Sequence, residues 1–387
     1  MKVGLTRTIS VGVALFCSLG VVMAGRQVGA PQQKEQMAED VFKNIQVLRG
    51  ISVNEFMETM GFFAASLNAN CTYCHVAEAN TDWGRYADDV EAKQTARRMV
   101  LMVGGINRTY FGGKRGVTCF TCHRASERPR ITPSIAEQYG PPPPENPEAI
   151  QQAPDAPAVD QIFDKYIQAL GGTKAVNNIT SLVAEGSYQA YDDTEKRPVE
   201  IYAKAPGQRS VVMHSRSGDI TWTFDGRSAW SAAPITDKPV PVIVLTGNDL
   251  EGFKVDAELS FPARIRQSLT QWVVGYPSSI EDRDVQVVQG TSSGGTIVRL
   301  YFENQSGLLV RIVRYTELPI GFVSTQTDYS DYREVSGVKM PFHWTVTWVD
   351  GRTNFELRQE QLNVPIDAAK FGRPAPPKPP VGQDSRG

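Results

Sequence analysis

Two five-residue runs, Cys71-Thr72-Tyr73-Cys74-His75 and Cys119-Phe120-Thr121-Cys122-His123, carry the most specific chemistry in this sequence. Each is C-x-x-C-H, the spacing of covalent c-type haem attachment. Two thiols two residues apart can form thioethers with both vinyl groups of one porphyrin. The adjacent histidine then lies beneath the iron as its proximal ligand. Cys71, Cys74, Cys119 and Cys122 are therefore candidate haem-binding residues, and His75 and His123 candidate iron ligands. Competing chemistries fit less well. A zinc ribbon uses four thiolates and leaves both histidines without a role. A thioredoxin-like site wants a βαβ setting, and the residues ahead of both runs have helical spacing. Two such runs in a chain with five Cys and four His favour two haem c groups.

A six-coordinate iron needs a second axial ligand. Beyond His75 and His123 the chain holds only His214 and His343, both far downstream. Methionine is the remaining strong candidate. Met60 shares an apolar stripe with Phe56 and Phe63, and Met99 falls with Ala96, Val103 and Ile106. Met102 sits among Thr95, Arg98 and Thr109. The pattern favours Met60 for the first haem and Met99 for the second, with Met57 and Met102 as the alternatives. A methionine on an apolar helix face is also ordinary packing. The demand of the iron, not the stripe alone, argues for ligation.

Helices must position these residues. Met37, Val41, Ile45 and Leu48 predict a short helix over Met37 to Val47, ended by Gly50. Ser52 and Glu55 form a capping box that opens the next helix, with Phe56, Met60, Phe63 and Leu67 on one face. A third helix is predicted from about Val90 to Tyr110, striped by Ala92, Ala96, Met99, Val103, Ile106 and Tyr110. Gly112-Gly113 breaks it before Cys119. Helix, loop, C-x-x-C-H thus occurs twice, at a spacing of about 48 residues.

The chain has 387 residues, enough for two domains, with 41% hydrophobic and 21% charged residues, as in soluble globular proteins. A net charge of -2 and the absence of a long basic run give no case for nucleic acid. Lys2 and Arg7, the apolar Ile9 to Met23 and the small-residue site Val22-Met23-Ala24 read as a signal peptide over residues 1–24, with Gly25 the first mature residue. Cys17 is then lost, and every remaining cysteine belongs to a C-x-x-C-H run. The apolar stretch is short for a span of about 20 residues. Export to a bacterial periplasm or cell surface is expected.

Several stretches resemble the cytochrome subunit of photosynthetic reaction centres. They are Asn44-Ile45-Gln46-Val47-Leu48, Phe56-Met57-Glu58-Thr59-Met60, Leu67 through His75, Ala96 through Met102 with Ile106-Asn107, and Gly116 through Arg124. The resemblance covers about residues 40 to 130. In that family the distal methionine lies on the helix before each C-x-x-C-H, which by position implies Met60 and Met99. The family subunit carries four haems, and this chain has motifs for two. The family also has a ligating histidine in the loop that here reads Phe111-Gly112-Gly113-Lys114-Arg115. A shortened, two-haem relative is implied.

Residues 25–126 are therefore expected to form a mainly α-helical di-haem cytochrome c domain. Glu127 to Pro157, including Pro141-Pro142-Pro143-Pro144, reads as an extended proline-rich linker. From 158 to 372 the character changes. A helix over Val159 to Leu170 closes at Gly171-Gly172. Short β-like runs follow, at 181–189, 199–204, 210–214, 220–224, 242–245, 296–302, 308–315, 323–329, 343–349 and 354–361. A helix is predicted over Pro262 to Trp272. This is an α+β antiparallel open barrel, with a tail over 373–387. Tyr166-Ile167-Gln168-Ala169-Leu170-Gly171-Gly172, Phe302 through Val310 and Asp328 through Tyr332 resemble lipoprotein-sorting (LolA-like) domains. That resemblance implies a half-barrel able to hold a lipid or other hydrophobic ligand. A filled core is the alternative, with Trp222, Trp230, Trp344 and Trp348 as core or cavity wall. No motif for nucleophilic, zinc-hydrolytic or nucleotide chemistry is present there. The expected function is one-electron transfer between redox protein partners. A di-haem peroxidase or reductase with one open iron, and a carrier of hydrophobic molecules, are the rivals.

Overall fold

The computed structural model describes residues 35–140, 150–191, 193–234 and 240–377. The expected signal peptide, Cys17, the Pro141 to Pro144 run and the end of the tail lie outside the described residues.

The first helix is shorter than its periodicity predicts. α1 covers Ala38–Val41, and Phe42 is already extended. Asn44 and Leu48 both take a left-handed φ of 61°. The Asn44 amide reaches across to Ala87 O at 2.8 Å and Asp89 at 2.9 Å, and that tertiary tie replaces the helix. α2 (Val53–Leu67) starts where the capping box predicts, with Ser52 Oγ accepting from the Glu55 N–H at 3.1 Å. It ends on left-handed Asn68. α3 (Glu91–Tyr110) follows, with Val90 as its N-cap. The first C-x-x-C-H run is a 3-10 turn over Cys71–Tyr73, and the second is a short helix, α4 (Cys119–His123). A reciprocal Thr118/Thr121 capping box starts α4.

α2 is apolar on two sides. Its fully buried residues are Val53, Thr59, Gly61, Phe62 and Ser66, and the predicted stripe of Phe56, Met60, Phe63 and Leu67 is only half-buried. A helix with two such faces serves two neighbours. The Val53 side packs with Phe224, Ala229, Ile243, Leu245 and Ala257 of the sheet domain. The Phe62 side packs with Leu318, Ile320, Val323 and Cys119.

The predicted linker is not uniformly extended. Ser134 caps a short helix, α5 (Ile135–Gln138). Farther on, the Ala153 N–H donates to Val274 O and the Val274 N–H to Gln152 Oε1, at 2.9 and 3.0 Å. The end of the linker thus lies along a strand it was expected only to precede.

α6 (Val159–Leu170) and α7 (Thr173–Asn177) lead into the sheet. Its strands are β1 (Ser181–Ala190), β2 (Arg197–Lys204), β3 (Gln208–Ser215), β4 (Gly218–Phe224), β5 (Ala229–Ala232) and β6 (Val242–Leu245). After α8 (Gly247–Leu259) and α9 (Ile265–Ser268) come β7 (Thr270–Val274), β8 (Ser278–Ile280), β9 (Arg283–Thr291) and β10 (Ile297–Glu303). β11 (Leu309–Leu318), β12 (Gly321–Val335), β13 (Val338–Trp348) and β14 (Gly351–Leu362) complete it. All pairings among the described residues are antiparallel, in the order β6-β5-β4-β3-β2-β1-β14-β13-β12-β11-β10-β9-β7, with β8 on β9. β6 and β7 do not pair, so the sheet is open, as expected. The helix predicted over Pro262 to Trp272 stops at Ser268. Thr270-Gln271-Trp272-Val273-Val274 is strand, bulged at Gln271 with φ 53°.

Ile162, Phe163, Tyr166, Ile167 and Leu170 of α6 share one core with Val255 of α8, Ile265 of α9 and residues of most strands. The sheet therefore wraps its helices. Both end strands are covered, β6 by α1 and α2, β7 by the linker, which blunts edges that would otherwise pair with other chains.

Candidate haem sites

Each motif histidine is tied to a backbone carbonyl by the same nitrogen. His75 Nδ1 lies 3.2 Å from Tyr86 O, and His123 Nδ1 lies 3.0 Å from Ser126 O. A carbonyl only accepts, so Nδ1 carries the hydrogen in both rings and Nε2 keeps its lone pair. That is the state a metal-ligating imidazole needs, with the ring orientation fixed by its other nitrogen. Burial holds His75 below the ordinary imidazole range, and the nearby Lys93 and Arg97 charges push the same way. The His75 ring also meets Tyr86 edge-on, centroids 4.9 Å apart.

The loop between the first motif and α3 is built for this. Tyr86 packs on Trp83 at 5.2 Å, and Lys93 Nζ donates to Tyr86 O at 2.8 Å and Asp88 O at 3.1 Å. Asp89 receives Arg97 at 2.8 Å and Asn44 at 2.9 Å. Nothing in the sequence pattern singles out Tyr86, Lys93, Arg97 or Ser126. Their contribution is a carbonyl or a long-range contact, which residue type and spacing do not display.

The thiols are unpaired: Cys71 and Cys122 exposed, Cys74 half-buried and Cys119 buried. Burial raises Cys74, with Cys71 adding to it, and pushes Cys119 up to about 11. Among the described residues no three Cys, His, Asp or Glu converge as metal ligands, so the four thiols are not gathered into a ribbon site.

Met57, Met60 and Met99 are half-buried, whereas Met102 is 45% exposed. α2 and α3 both lie against α4. Cys119 packs with Phe62, Phe63 and Val100, and the Ala125 N–H donates to Ser66 O at 3.1 Å. Ahead of α4, Asn107 braces the loop: its Oδ1 accepts from the Gly116 and Val117 N–H groups and its Nδ2 donates to Val117 O. Arg115 continues to the sheet domain, reaching Glu317 at 2.8 Å and Leu318 O at 2.7 Å.

The downstream histidines are strand residues. His214 bonds Asp219 at 2.8 Å and His343 bonds Ser330 at 2.7 Å. Burial pulls His214 down, but the bonds and charges of Asp219 and Glu200 outweigh it and the net shift is upward.

Residues 21–157 match the model of the photosynthetic reaction centre cytochrome c subunit family. This segment is similar to that family. It is 37% identical over 97 residues to the photosynthetic reaction center cytochrome c subunit of Thermochromatium tepidum, covering 24% of this chain and 23% of the relative. To that of Roseobacter denitrificans it is 31% identical over 106 residues, 26% and 28% of the two chains. The match thus spans about a quarter of each relative. Among solved structures, a DUF1329 family protein from Desulfovibrio piger is 12% identical and covers 56% of this chain and 98% of its own, with a TM-score of 0.39. A LolA superfamily protein from Nitrosomonas europaea is 14% identical with the same coverage and a TM-score of 0.36. In one chain, then, a cytochrome segment is joined to the open antiparallel sheet domain described above.

That sheet domain contains a cavity of about 430 Å³. Leu182, Ile201, Met213, Trp222, Trp344 and Trp348 contribute to its wall, and Arg209 and Glu360 are among its polar residues. A cavity of about 330 Å³ along α3, against Leu48 and Ile320, contains no motif residue.

Proposed function

We propose that this chain is an exported di-haem c-type cytochrome that passes single electrons between redox protein partners. His75 and His123 are the proximal ligands, and Met60 and Met99 the distal ones. Covalently attached haem supplies the one-electron couple. The chain supplies the rest: four thiols to hold the groups, two imidazoles oriented from behind, and helices that limit solvent access. What carries this assignment is the matched state of the two histidines, each with Nδ1 on a carbonyl and Nε2 kept for a metal. Half-burial favours Met99 over the more exposed Met102. Export to the periplasm follows from the leader-like N-terminus, and sequencing the mature N-terminus tests it.

The decisive experiment is the mass and electronic spectrum of the purified holoprotein, with Met60→Ala and Met99→Ala beside it. Two covalent haems and a methionine-to-iron charge-transfer band that weakens in each variant are expected. A high-spin ferric signal in the unaltered protein would replace the carrier with a peroxidase-like enzyme.

The sheet domain supports a second reading, a site for a lipid or other hydrophobic ligand. Its cavity falls within the volume range of small-molecule sites. Mass spectrometry of the intact protein under native conditions should find a co-purifying amphiphile; a ligand-free chain that takes up no added lipid would sink this reading.

A further inference from the structure

The two motifs share a pattern but not a setting. At the first, one carbonyl oxygen, that of Tyr86, accepts from both His75 Nδ1 at 3.2 Å and Lys93 Nζ at 2.8 Å. At the second, Ser126 O accepts from His123 Nδ1 at 3.0 Å, and among the described residues no lysine or arginine is recorded on that oxygen. Lys93 is held firmly. Its Nζ also donates to Asp88 O, its side chain is 14% exposed, and the Asp89 carboxylate stands 3.8 Å away. Asp89 is itself engaged at shorter range by Arg97, at 2.8 Å, so it only partly offsets the Lys93 charge.

We propose that Lys93 is a positioning residue that raises the reduction potential of the haem on Cys71 and Cys74, making two otherwise similar sites unequal. The inference rests on the haem assignment proposed above. A hydrogen bond from Nδ1 to a carbonyl makes an imidazole a richer donor, and a richer donor favours oxidised iron. A carbonyl oxygen has two lone pairs. An ammonium on one of them draws electron density away and weakens the bond that His75 makes to the other, in keeping with its longer distance than at His123. The same ammonium is a fixed, largely buried cation close to the site, and it favours the reduced, less positive state. Both effects have one sign. Lys93 stands on α3, whose Val100 packs in the cluster that holds Cys119, so one helix touches the surroundings of both sites.

The test is a redox titration of the holoprotein, followed by its haem spectrum, for the unaltered chain, Lys93→Met, Lys93→Gln and Lys93→Arg. Lys93→Met should lower one of the two midpoints and leave the other in place. At a fixed potential the oxidised-to-reduced ratio of that haem should rise about tenfold, or ~59 mV for a one-electron couple. Lys93→Gln, which keeps a donor without the charge, should lie between, and Lys93→Arg should stay near the unaltered value. In a Cys119→Ala/Cys122→Ala background, which retains only the first attachment site, the Lys93→Met shift should persist. Midpoints that ignore the substitutions, move together, or respond equally to Arg and Met overturn the inference. A chain carrying no covalent haem overturns it together with the proposed function, whereas two covalent haems with indifferent midpoints overturn it alone.

Discussion

The ring of Phe62 occupies the space that a side chain at Gly321 would need: a Cβ built on Gly321 would meet Phe62 Cζ at 2.4 Å. Gly321 opens β12, and Phe62 is on α2, the helix that carries Met57 and Met60. The contact seats a helix of the cytochrome segment on the sheet domain, among Leu318, Ile320 and Val323.

Gly321→Ala should therefore lift α2 from its seat. Overpacking of this kind costs about 1–3 kcal/mol. Phe62→Ala, which opens a void instead, should cost about 3–5 kcal/mol. Urea unfolding followed both by haem absorbance and by far-ultraviolet dichroism measures the two. Midpoints equal to those of the unaltered protein in both variants would mean that α2 is not docked there.

A milder change tests the start of the same helix. Ser52 Oγ satisfies the Glu55 N–H, so Ser52→Ala should cost about 1 kcal/mol, and Ser52→Asp, an equally good cap, should restore most of it. The Asp variant behaving like the Ala variant would assign the loss to packing of the buried Ser52 rather than to capping.

Local features were legible in the sequence, and features made by distant contacts were not. The capping box at Ser52, the extent of α3 and the hairpins β10–β11 and β12–β13, which flank Gln305-Ser306-Gly307 and Ser336-Gly337, are written in neighbouring residues. β5 is not legible because all four residues of Ala229–Ala232 are buried and no alternation marks it. α8 is hidden in the sequence because Gly247 and Gly252 argue against a helix. At Gly252 a Cβ would lie 2.7 Å from the Arg314 guanidinium carbon, a neighbour that only the fold supplies. The haem sites divide in the same way. Cysteines and histidines announce themselves by spacing, while the carbonyls of Tyr86 and Ser126 that orient the histidines are backbone atoms any residue could provide.

Asn107 should govern maturation of the second site. Its amide makes three bonds to Gly116 and Val117, closing the loop that presents Cys119. Asn107→Ala leaves those backbone groups to water, at about 1–3 kcal/mol where they are shielded. Intact-mass analysis should then find a fraction of chains with one covalent haem, the second site empty by peptide mapping. Full loading of both sites would show that the loop finds its conformation without Asn107.

Glu360 gives the sheet domain a pH dependence whose sign is fixed by burial. It is 8% exposed, its Oε1 has no hydrogen-bond partner, and burial pushes its pKa up to about 8, with Arg209 pulling the other way. An unfolded glutamate titrates near 4.3. Between about pH 4.5 and 8 the unfolded chain has lost this proton and the folded chain keeps it, so stability falls as pH rises through that window. Below the window both states are protonated, and above it the loss is complete. Glu360→Gln keeps the shape and removes the titration. Its advantage over the unaltered protein should be small at pH 5 and grow to a few kcal/mol at pH 8, because each tenfold change in a protonation equilibrium is worth roughly 1.4 kcal/mol. Other buried acids, Glu58 among them, add slopes of their own, so the difference between the two proteins is the quantity to measure. Urea midpoints at pH 5, 6.5 and 8 supply it. Parallel pH curves for the two proteins would mean that Glu360 is already ionised in the folded chain, compensated by Arg209 across the cavity wall.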